Sequence, residues 1–460
     1  MSARPRIDLT EFLDRQGADW YQRTILVWSC LLMCIDGYDM QVISFAAPAI
    51  IKAWGIDKAA FGPIFGAGLF GYMLGATLLT SLADRFGRKL TVIAGALLFG
   101  VFTLATAFAQ TVGQLLALRL IAGIGLGASV PTIVALNAEY VPSTRRATRI
   151  TVMFVGYTVG SAIAGVISAT WLPKFGWPIL FYIGGLVPMV AATALSFVLP
   201  ESIRFLVLRG DRQTQAVAIL RKLRPEVDVP GDAELILHEG HRAGLPVWNL
   251  FTDGRASITS LLWITFVTSL LGHHFLTSWL PTVLVSAHVS IQNAAVATTL
   301  FQIGGSAGSL LIGQLLDRRG VGALAIMLLT AAPLVFWIGN SPPGLLLMVL
   351  VFFCGLCVLG GQIGLNAVCG SFYPTFIRST GTGWALGIGR IGAVIGPVLG
   401  GQLIALNLTL PSLFTFAALP FICCGLMTLG LGRMVSRAVS GASELERRAA
   451  PEPAGERTPI

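Results

Sequence analysis

Long apolar stretches, separated by shorter polar ones, run along nearly the whole chain. About 20 apolar residues in a helix cross roughly 30 Å of hydrocarbon. Stretches of that length recur, and repeated long apolar runs indicate helices rather than a β-barrel. We predict twelve spans, at residues 24–50, 59–82, 90–109, 113–137, 149–171, 177–199, 257–284, 292–316, 321–340, 344–369, 378–405 and 411–432. The pattern therefore predicts an all-α integral membrane protein.

The polar stretches divide the chain into regions. We predict an N-terminal segment at 1–23, a first six-helix half at 24–199, a linker at 200–256, a second six-helix half at 257–433 and a tail at 434–460. The N-terminal segment is charged and no cleavage site follows it, so we predict no signal peptide. The linker is basic, and we expect a short helix around Gln213–Leu223. The tail is rich in Glu, Arg, Pro and Ala, which predicts disorder.

Composition and charge support membrane insertion and suggest an orientation. Hydrophobic residues make up 55% of the chain and charged residues 12%, whereas roughly 25% of the residues of soluble proteins are charged. Of the 31 Lys and Arg residues, only Lys52, Lys58 and Lys174 fall in loops on the side away from the termini. Because basic residues concentrate in cytosolic loops, we predict that both termini are cytosolic. The net charge of +9 then reflects topology rather than nucleic-acid binding.

The two halves repeat one another. Asp84-Arg85-Phe86-Gly87, after the second span, reappears 233 residues later as Asp317-Arg318-Arg319-Gly320, after the eighth. Four further pairs lie 232 residues apart: Gly123 with Gly355, Pro142 with Pro374, Arg146 with Arg378, and Gly160 with Gly392. Two six-helix halves in parallel repeat predict a site between them at mid-membrane and alternating access to it.

Asp36 and Asp39 lie near the middle of the first span. An aspartate at the centre of a membrane helix costs roughly 2.5–3.5 kcal/mol on insertion scales. The two side chains are three residues apart and share one helix face, which must look into a polar interior. Two desolvated carboxylates so close cannot both ionise cheaply, so one is expected to hold a proton. This predicts a proton-coupling site; the alternative is a structural role near Gly37 or between helices.

Two arginines fall inside spans. Arg119, in the fourth span, is expected either to pair with the aspartates or to exchange them for a substrate carboxylate, since guanidinium binds carboxylates through two bonds. The alternative is a permanent structural ion pair. Arg390 lies near the middle of the eleventh span, and the second half offers it no acid at similar depth. We expect it to bind a substrate carboxylate; a contact with backbone carbonyls or with the other half is the alternative.

Histidines and aromatic rings could complete a binding site. His273 and His274 lie in the outer half of the seventh span, and because neighbours on a helix point about 100° apart, only one is expected to face a cavity. We select His274, with Tyr38 and Trp384 for ring stacking. Packing is the alternative for each. In the second span, Gly62, Gly66, Gly71 and Gly75 are expected to let helices approach closely.

Several motifs resemble those of one protein family. Leu82-Ala83-Asp84-Arg85-Phe86-Gly87-Arg88-Lys89 resembles the loop 2–3 signature of the major facilitator superfamily, and Asp317-Arg318-Arg319-Gly320 its weaker copy in loop 8–9. Within the superfamily, Asp36-Gly37-Tyr38-Asp39 resembles the DGxD motif of the aromatic acid:proton symporters. That resemblance extends to Arg119 with Gly123-Ile124-Gly125-Leu126-Gly127, to Glu139-Tyr140-Val141-Pro142, to Arg145-Arg146-Ala147-Thr148 and to Leu199-Pro200-Glu201-Ser202.

The resemblance implies a multi-pass transporter of the inner (plasma) membrane of a bacterial-type cell. It implies import of an aromatic carboxylate such as 4-hydroxybenzoate, benzoate or protocatechuate, driven by the proton gradient, with both acids of the DGxD motif tied to transport. The charged loops are expected to form a latch that holds the cytosolic side closed. Its predicted members are Asp84, Arg85, Arg88, Lys89, Asp317 and Arg318.

Other chemistry finds little support in the sequence. The five histidines show no metal-ligand spacing. Cys354 and Cys357 have the spacing of a metal or redox pair, but no second ligand pair accompanies them, so all seven cysteines are expected to be buried small apolar residues. No nucleophile–base pair or cofactor loop is found, so we predict neither an enzyme nor a cofactor, and no nucleic-acid partner. We expect a monomer in a lipid bilayer. A drug or metabolite:proton antiporter and a non-transporting receptor remain alternatives.

Overall fold

The computed structural model describes residues 6–9, 12, 20–142, 146–209, 213–223, 230, 234–236, 247–252, 255–373 and 377–449. Among these residues, twelve helices are long and apolar enough to cross a membrane. The spanning helices are α1 (Trp20–Trp54), α2 (Phe61–Leu74), α3 (Arg88–Thr106), α4 (Val112–Glu139), α5 (Arg146–Thr170), α6 (Pro178–Val198), α7 (Ala256–Ser286), α8 (Ile291–Arg319), α9 (Val321–Asn340), α10 (Leu345–Cys369), α11 (Arg378–Ala405) and α12 (Leu410–Ala449). The predicted helical class and the number of spans are confirmed.

Local sequence determines where several of these helices begin and end. Thr111 and Ser290 are N-caps of α4 and α8, and each side-chain oxygen accepts a hydrogen bond from the backbone N–H three residues on, at 3.2 Å. Gly87 and Gly320, at equivalent positions of the repeat, have φ of 105° and 62°. Residues with a side chain rarely adopt such angles, so the repeated glycine marks the same sharp turn in both halves.

The second span is less regular than predicted. After α2, the chain passes through a π-helical turn, Gly75–Leu79, and continues as a short helix, Thr80–Phe86. A π-helical turn inserts an extra residue into the helix and changes the direction of the residues that follow. This turn directly precedes the charged loop between α2 and α3.

The tail differs from expectation, whereas the linker contains the predicted helix and, in addition, a short strand. The tail was predicted to be disordered from residue 434, but α12 continues to Ala449, where Ala, Glu, Leu and Arg are frequent and favour helix; residues 450–460 lie outside the described residues. In the linker, the helix Gln213–Leu223 is present. A strand, Glu234–Ile236, pairs in parallel with Arg6–Asp8, which adds a small β-ladder to the otherwise helical described residues.

Helix packing repeats between the halves. In the first half, α1 packs on α5, α2 on α4, and α3 on α6; in the second half, α7 packs on α11, α8 on α10, and α9 on α12. The halves meet along α2 with α11, α5 with α8, and α1 with α7. When the two halves are exchanged, the contact of α2 with α11 becomes the contact of α8 with α5. The packing is therefore that of two parallel repeats.

The halves are packed together on one side of the membrane. Twelve spans bring both termini to the same side, here called the terminal side, and the other is called the opposite side. Near the opposite side, a Cβ atom at Gly401 would lie 2.8 Å from the carbonyl oxygen of Ala59, and the rings of Phe65 and Trp279 meet edge to face at 5.2 Å. Closer to the middle, the Ser306 hydroxyl donates to that of Thr158 at 3.0 Å. The opposite side is therefore closed in this structure.

Candidate functional site

A cavity with about 610 Å³ of empty space, part of it open to solvent, lies between the halves in the middle of the spans. Its walls come from α1, α2, α4 and α5 of the first half and from α7 of the second half. The lining residues are Asp39, Met40, Gln41, Ile43, Ser44, Ile64, Phe65, Gly68, Leu69, Arg119, Gly123, Leu126, Tyr157, His273, His274, Thr277 and Ser278. Polar and apolar residues line the cavity in similar numbers, which suits a small ligand that has both characters.

A buried ion pair between Arg119 and Asp39 lines one part of this cavity. Nη2 of Arg119 donates to both carboxylate oxygens of Asp39, at 2.8 and 2.7 Å. Both side chains are buried, at 3% and 5% exposure, and the Arg119 guanidinium also lies 5.9 Å from the ring centre of Phe181. Nη1 of Arg119 is buried and has no hydrogen-bond partner. Arg119 therefore neutralises Asp39 with one amino group and leaves the other available to a second acceptor.

Asp36 has a different environment, although it lies less than one turn from Asp39. It is 5% exposed, and its Oδ1 has no hydrogen-bond partner. The cation that interacts with it electrostatically is Arg390 of the second half. The Arg390 guanidinium lies 4.6 Å from the ring centre of Tyr72, whose own electrostatic environment includes Asp36. Asp36 and Arg390 therefore interact across the boundary between the halves.

The position of Arg390 changes how its predicted role is understood. The sequence offered no acid at its depth within the second half, but the fold brings α2 and α11 together and so supplies Tyr72 and Asp36 from the first half. Arg390 does not line the 610 Å³ cavity. Arg119 is the arginine that does.

Both histidines of α7 line the cavity, whereas the helical angle predicted only one. Their imidazole rings stack with centres 4.7 Å apart and an angle of 19° between the planes. Because the rings are stacked, both are directed to the same side of α7. Nδ1 of His273 is buried without a hydrogen-bond partner. Thr277, one turn on, donates to the carbonyl oxygen of His273 at 3.0 Å, so its hydroxyl is already engaged.

Two residues selected for ring stacking do not line the cavity. Tyr38 is buried against α6, and its hydroxyl donates to the carbonyl oxygen of Leu180 at 3.0 Å. Trp384 is 41% exposed and stacks on Trp263. It lies on the same face of α11 as Ile391 and Ile395, which are also exposed, as expected of a face turned to lipid. The sequence could not separate these positions from the cavity because both surroundings accept aromatic rings.

Sequence reasoning passed over two residues of this region, Gln41 and Tyr72. Gln41 lies two residues after Asp39, is only 1% exposed, lines the cavity, and has no partner for its Oε1. A buried glutamine inside an apolar run was a usable signal, since uncompensated polar groups are costly in a membrane. Tyr72 gave no such signal, because its importance follows from the contact with Arg390.

The charged loop between α2 and α3 is held by residues of its own half. Glu201 accepts hydrogen bonds from the backbone N–H groups of Arg88 and Lys89, at 2.8 and 3.1 Å, where the positive end of the α3 dipole favours an anion. Arg88 also forms an ion pair with Glu139, to which the Ser202 hydroxyl donates at 2.5 Å. These contacts fix the start of α3 relative to α4 and the linker.

Tyr140 and Arg209 add to this cluster. The Tyr140 hydroxyl donates to the carbonyl oxygen of Glu201 at 2.5 Å, and burial, helped by Tyr21 and Glu201, raises the pKa of Tyr140 well above its usual value. Arg209 donates to the carbonyl oxygen of Arg85 at 2.6 Å.

The second copy of the charged loop has a different setting. In the second half, Asp317 and Arg318 are exposed. The side chain of Asp84 and the whole of Arg145 lie outside the described residues. The contacts described for the predicted latch thus lie within the first half.

Comparison with known proteins agrees with this architecture. The sequence matches the Major Facilitator Superfamily over residues 29–385 and 262–456. It is 38% identical to the gallate transporter of Pseudomonas putida, over 94% of this chain and 96% of that protein. It is 36% identical to the 4-hydroxybenzoate transporter PcaK of Pseudomonas aeruginosa, over 91% of this chain and 94% of that protein.

Among solved structures, the partially occluded inward-open xylose transporter XylE from E. coli superimposes with a TM-score of 0.68 at 18% identity, over 89% of this chain and 99% of that one. At that identity the likeness concerns the fold, which agrees with the twelve spans and the repeated helix packing described above. The sequence relatives are transporters and not enzymes. The chain belongs to the Major Facilitator Superfamily and, within it, to the family of aromatic acid transporters.

Proposed function

We propose that this chain imports a small aromatic carboxylate together with a proton, by alternating access, across the inner (plasma) membrane of a bacterial-type cell, with both termini in the cytosol. Gallate and 4-hydroxybenzoate, named for two relatives, are both aromatic carboxylates. The observation that carries the proposal is the pair of unsatisfied groups at mid-membrane: an oxygen of Asp36 and an amino group of Arg119. Because one chain builds the whole cavity, a monomer suffices.

The proton is assigned to Asp36. Asp39 already accepts two hydrogen bonds from Arg119, its counter-charge in the same half. Asp36 has an unpartnered buried oxygen, and its counter-charge, Arg390, belongs to the other half. A proton on Asp36 would remove its attraction to Arg390. Protonation thereby changes an interaction between the halves, which is what coupling to a rocking motion requires.

The substrate carboxylate is assigned to Nη1 of Arg119. A guanidinium remains charged at any relevant pH and can bind two acceptors in one plane, so it can hold Asp39 and a substrate anion at once. The ring would lie against the apolar residues that line the same cavity, among them Ile64, Phe65 and Leu69. Arg390, released by protonation of Asp36, would then supply a second positive charge close to the anion.

The transport cycle follows from these assignments. Proton and anion enter from the opposite side, the halves rock, and both leave on the terminal side. The structure, closed on the opposite side, corresponds to the release stage. The cluster around Glu201 and Arg88 in the first half would hold the α2–α3 loop in place. When the terminal side closes, the second-half loop with Asp317 and Arg318 would dock on it.

The test is uptake of radiolabelled 4-hydroxybenzoate and benzoate by cells of a host that transports neither acid. We expect accumulation against a concentration gradient, and its loss when a protonophore is added. Asp36→Asn cannot exchange a proton, so it should lower accumulation at least about tenfold. Asp57→Asn, at an acid outside the cavity, is the control and should accumulate the acids normally.

Two results would contradict the proposal. Equilibration that does not depend on the proton gradient would indicate facilitated diffusion. Net export of an added compound in exchange for protons would indicate an antiporter.

A further inference from the structure

Three atoms in the lining of the 610 Å³ cavity are buried without a hydrogen-bond partner: Nη1 of Arg119, Oε1 of Gln41 and Nδ1 of His273. Buried polar atoms are nearly always satisfied, because leaving one unpaired forfeits the hydrogen bonds it made to water. Three such atoms around one cavity indicate a ligand that supplies their partners. Arg119 requires an anion, whereas Gln41 and His273 require a neutral polar group.

The neutral pair comes from both halves of the protein. Gln41 lies on α1 and is 1% exposed. His273 lies on α7, where stacking on His274 fixes the plane of its ring. The nearby hydroxyl of Thr277 is engaged by its own helix. Apolar residues, Ile43, Ile64 and Phe65 among them, line other parts of the cavity.

We propose that Gln41 and His273 recognise a hydroxyl group on the aromatic ring and so determine the preference of the transporter for hydroxylated over unsubstituted ring acids. A phenolic hydroxyl can donate to Oε1 of Gln41 and accept from Nδ1–H of His273, so a single group satisfies both atoms. An unsubstituted ring leaves both buried atoms unpaired, and sites built in this way reject the analogue that lacks the hydroxyl. This inference rests on the proposed function.

The measurement is the ratio of uptake efficiencies, kcat/KM, for 4-hydroxybenzoate and benzoate. We expect the unaltered protein to favour 4-hydroxybenzoate. Gln41→Met, which keeps the length of the side chain but removes its polar atoms, should lower the ratio about 10- to 100-fold, mainly through the KM for 4-hydroxybenzoate. His273→Phe should lower the same ratio.

The control is Gln302→Met, the same change at a buried glutamine of α8 whose Nε2 is also unpaired but which lies outside the cavity lining, and it should leave the ratio unchanged. The amount of each variant in the membrane is measured in parallel, and if Gln41→Met is not inserted, His273→Phe alone decides. An unchanged ratio in the inserted variants, or a wild-type preference for benzoate, would overturn the inference. Failure of the unaltered protein to take up either acid would instead overturn the proposed function.

Discussion

Asp36 and Asp39 show how two identical side chains, three residues apart, come to differ. Asp39 lies against Arg119 of the same half and accepts both of its bonds from one amino group. Removing one partner from a buried ion pair costs about 3–5 kcal/mol, because the other charge remains buried and unpaired. Asp36 has no such partner in its own half, and its counter-charge, Arg390, lies in the other half. The Asp39–Arg119 ion pair is therefore suited to stay intact during transport, and the Asp36–Arg390 interaction is suited to break and form again.

Arg119→Lys tests the two-acceptor role of the guanidinium. A lysine ammonium is shorter and cannot present two amino groups in one plane, so it can neutralise Asp39 but not also hold a substrate carboxylate in a fixed orientation. We expect at least about a tenfold loss of kcat/KM for uptake, with normal insertion into the membrane. Arg23→Lys, at an exposed position near the start of α1, serves as the matched control. Unchanged affinity and rate in Arg119→Lys would mean that Arg119 is only a structural partner of Asp39.

The charged residues of the site could be selected from the sequence because a charge inside an apolar run is conspicuous. Gln41 was overlooked since its side chain is uncharged. The partner of Arg390 could not be found, because Asp36 lies some 350 positions away in the chain and meets it only through the packing of the halves. Trp384 was assigned to the cavity in error, since helical periodicity does not distinguish a face turned to lipid from one turned to an apolar cavity.

At the scale of elements, α1 and α5 touch backbone to backbone. A Cβ atom at Gly37 would overlap the carbonyl oxygen of Tyr157, and one at Gly160 would overlap that of Cys34. The counterparts α7 and α11 repeat this arrangement, with Gly392 against Val267. Membrane helices gain little from apolar burial, so close approach through small residues is a main source of their affinity. The contact also fixes Asp36, which directly precedes Gly37.

Gly160→Ala should separate α5 from α1, because the added methyl group has no space. Overpacking of this kind costs about 1–3 kcal/mol, and we expect a lower midpoint of thermal unfolding for the purified protein. Gly387→Ala, in α11, places the same methyl group where no atom lies within 4 Å and should leave the midpoint nearly unchanged. Equal midpoints for the two variants would show that the close contact contributes no stability.

The positions of the helices were easier to predict from the sequence than the helices against which each one packs. The apolar runs located all twelve spans, although α1 extends several residues beyond the predicted 24–50 at both ends. The glycines of the second span were expected to allow close packing, but the sequence could not say against which helices. Gly71 and Gly75 in fact meet α4, whereas Gly62 and Gly66 meet α11 of the other half.

At the scale of the whole molecule, the repeat in the sequence becomes a repeat in packing. The contact of α2 with α11 and that of α5 with α8 exchange places when the halves are exchanged, and the cavity lies between them. The fold was predictable because the repeated motifs and the loop charges both constrain the topology. The side on which the structure is closed could not be predicted, because the pattern of residues does not indicate on which side the halves meet.

The four ionised groups at mid-membrane, Asp36, Asp39, Arg119 and Arg390, add up to no net charge. An anion and a proton loaded together also add none, so neither the empty nor the loaded carrier would move charge through the membrane as it reorients. A single uncompensated charge would contribute about 2.3 kcal/mol per 100 mV. At a fixed pH difference, the initial rate of uptake into proteoliposomes should therefore be insensitive to a potassium diffusion potential set with valinomycin. A rate that rises as the interior becomes negative would show that more than one proton accompanies each anion.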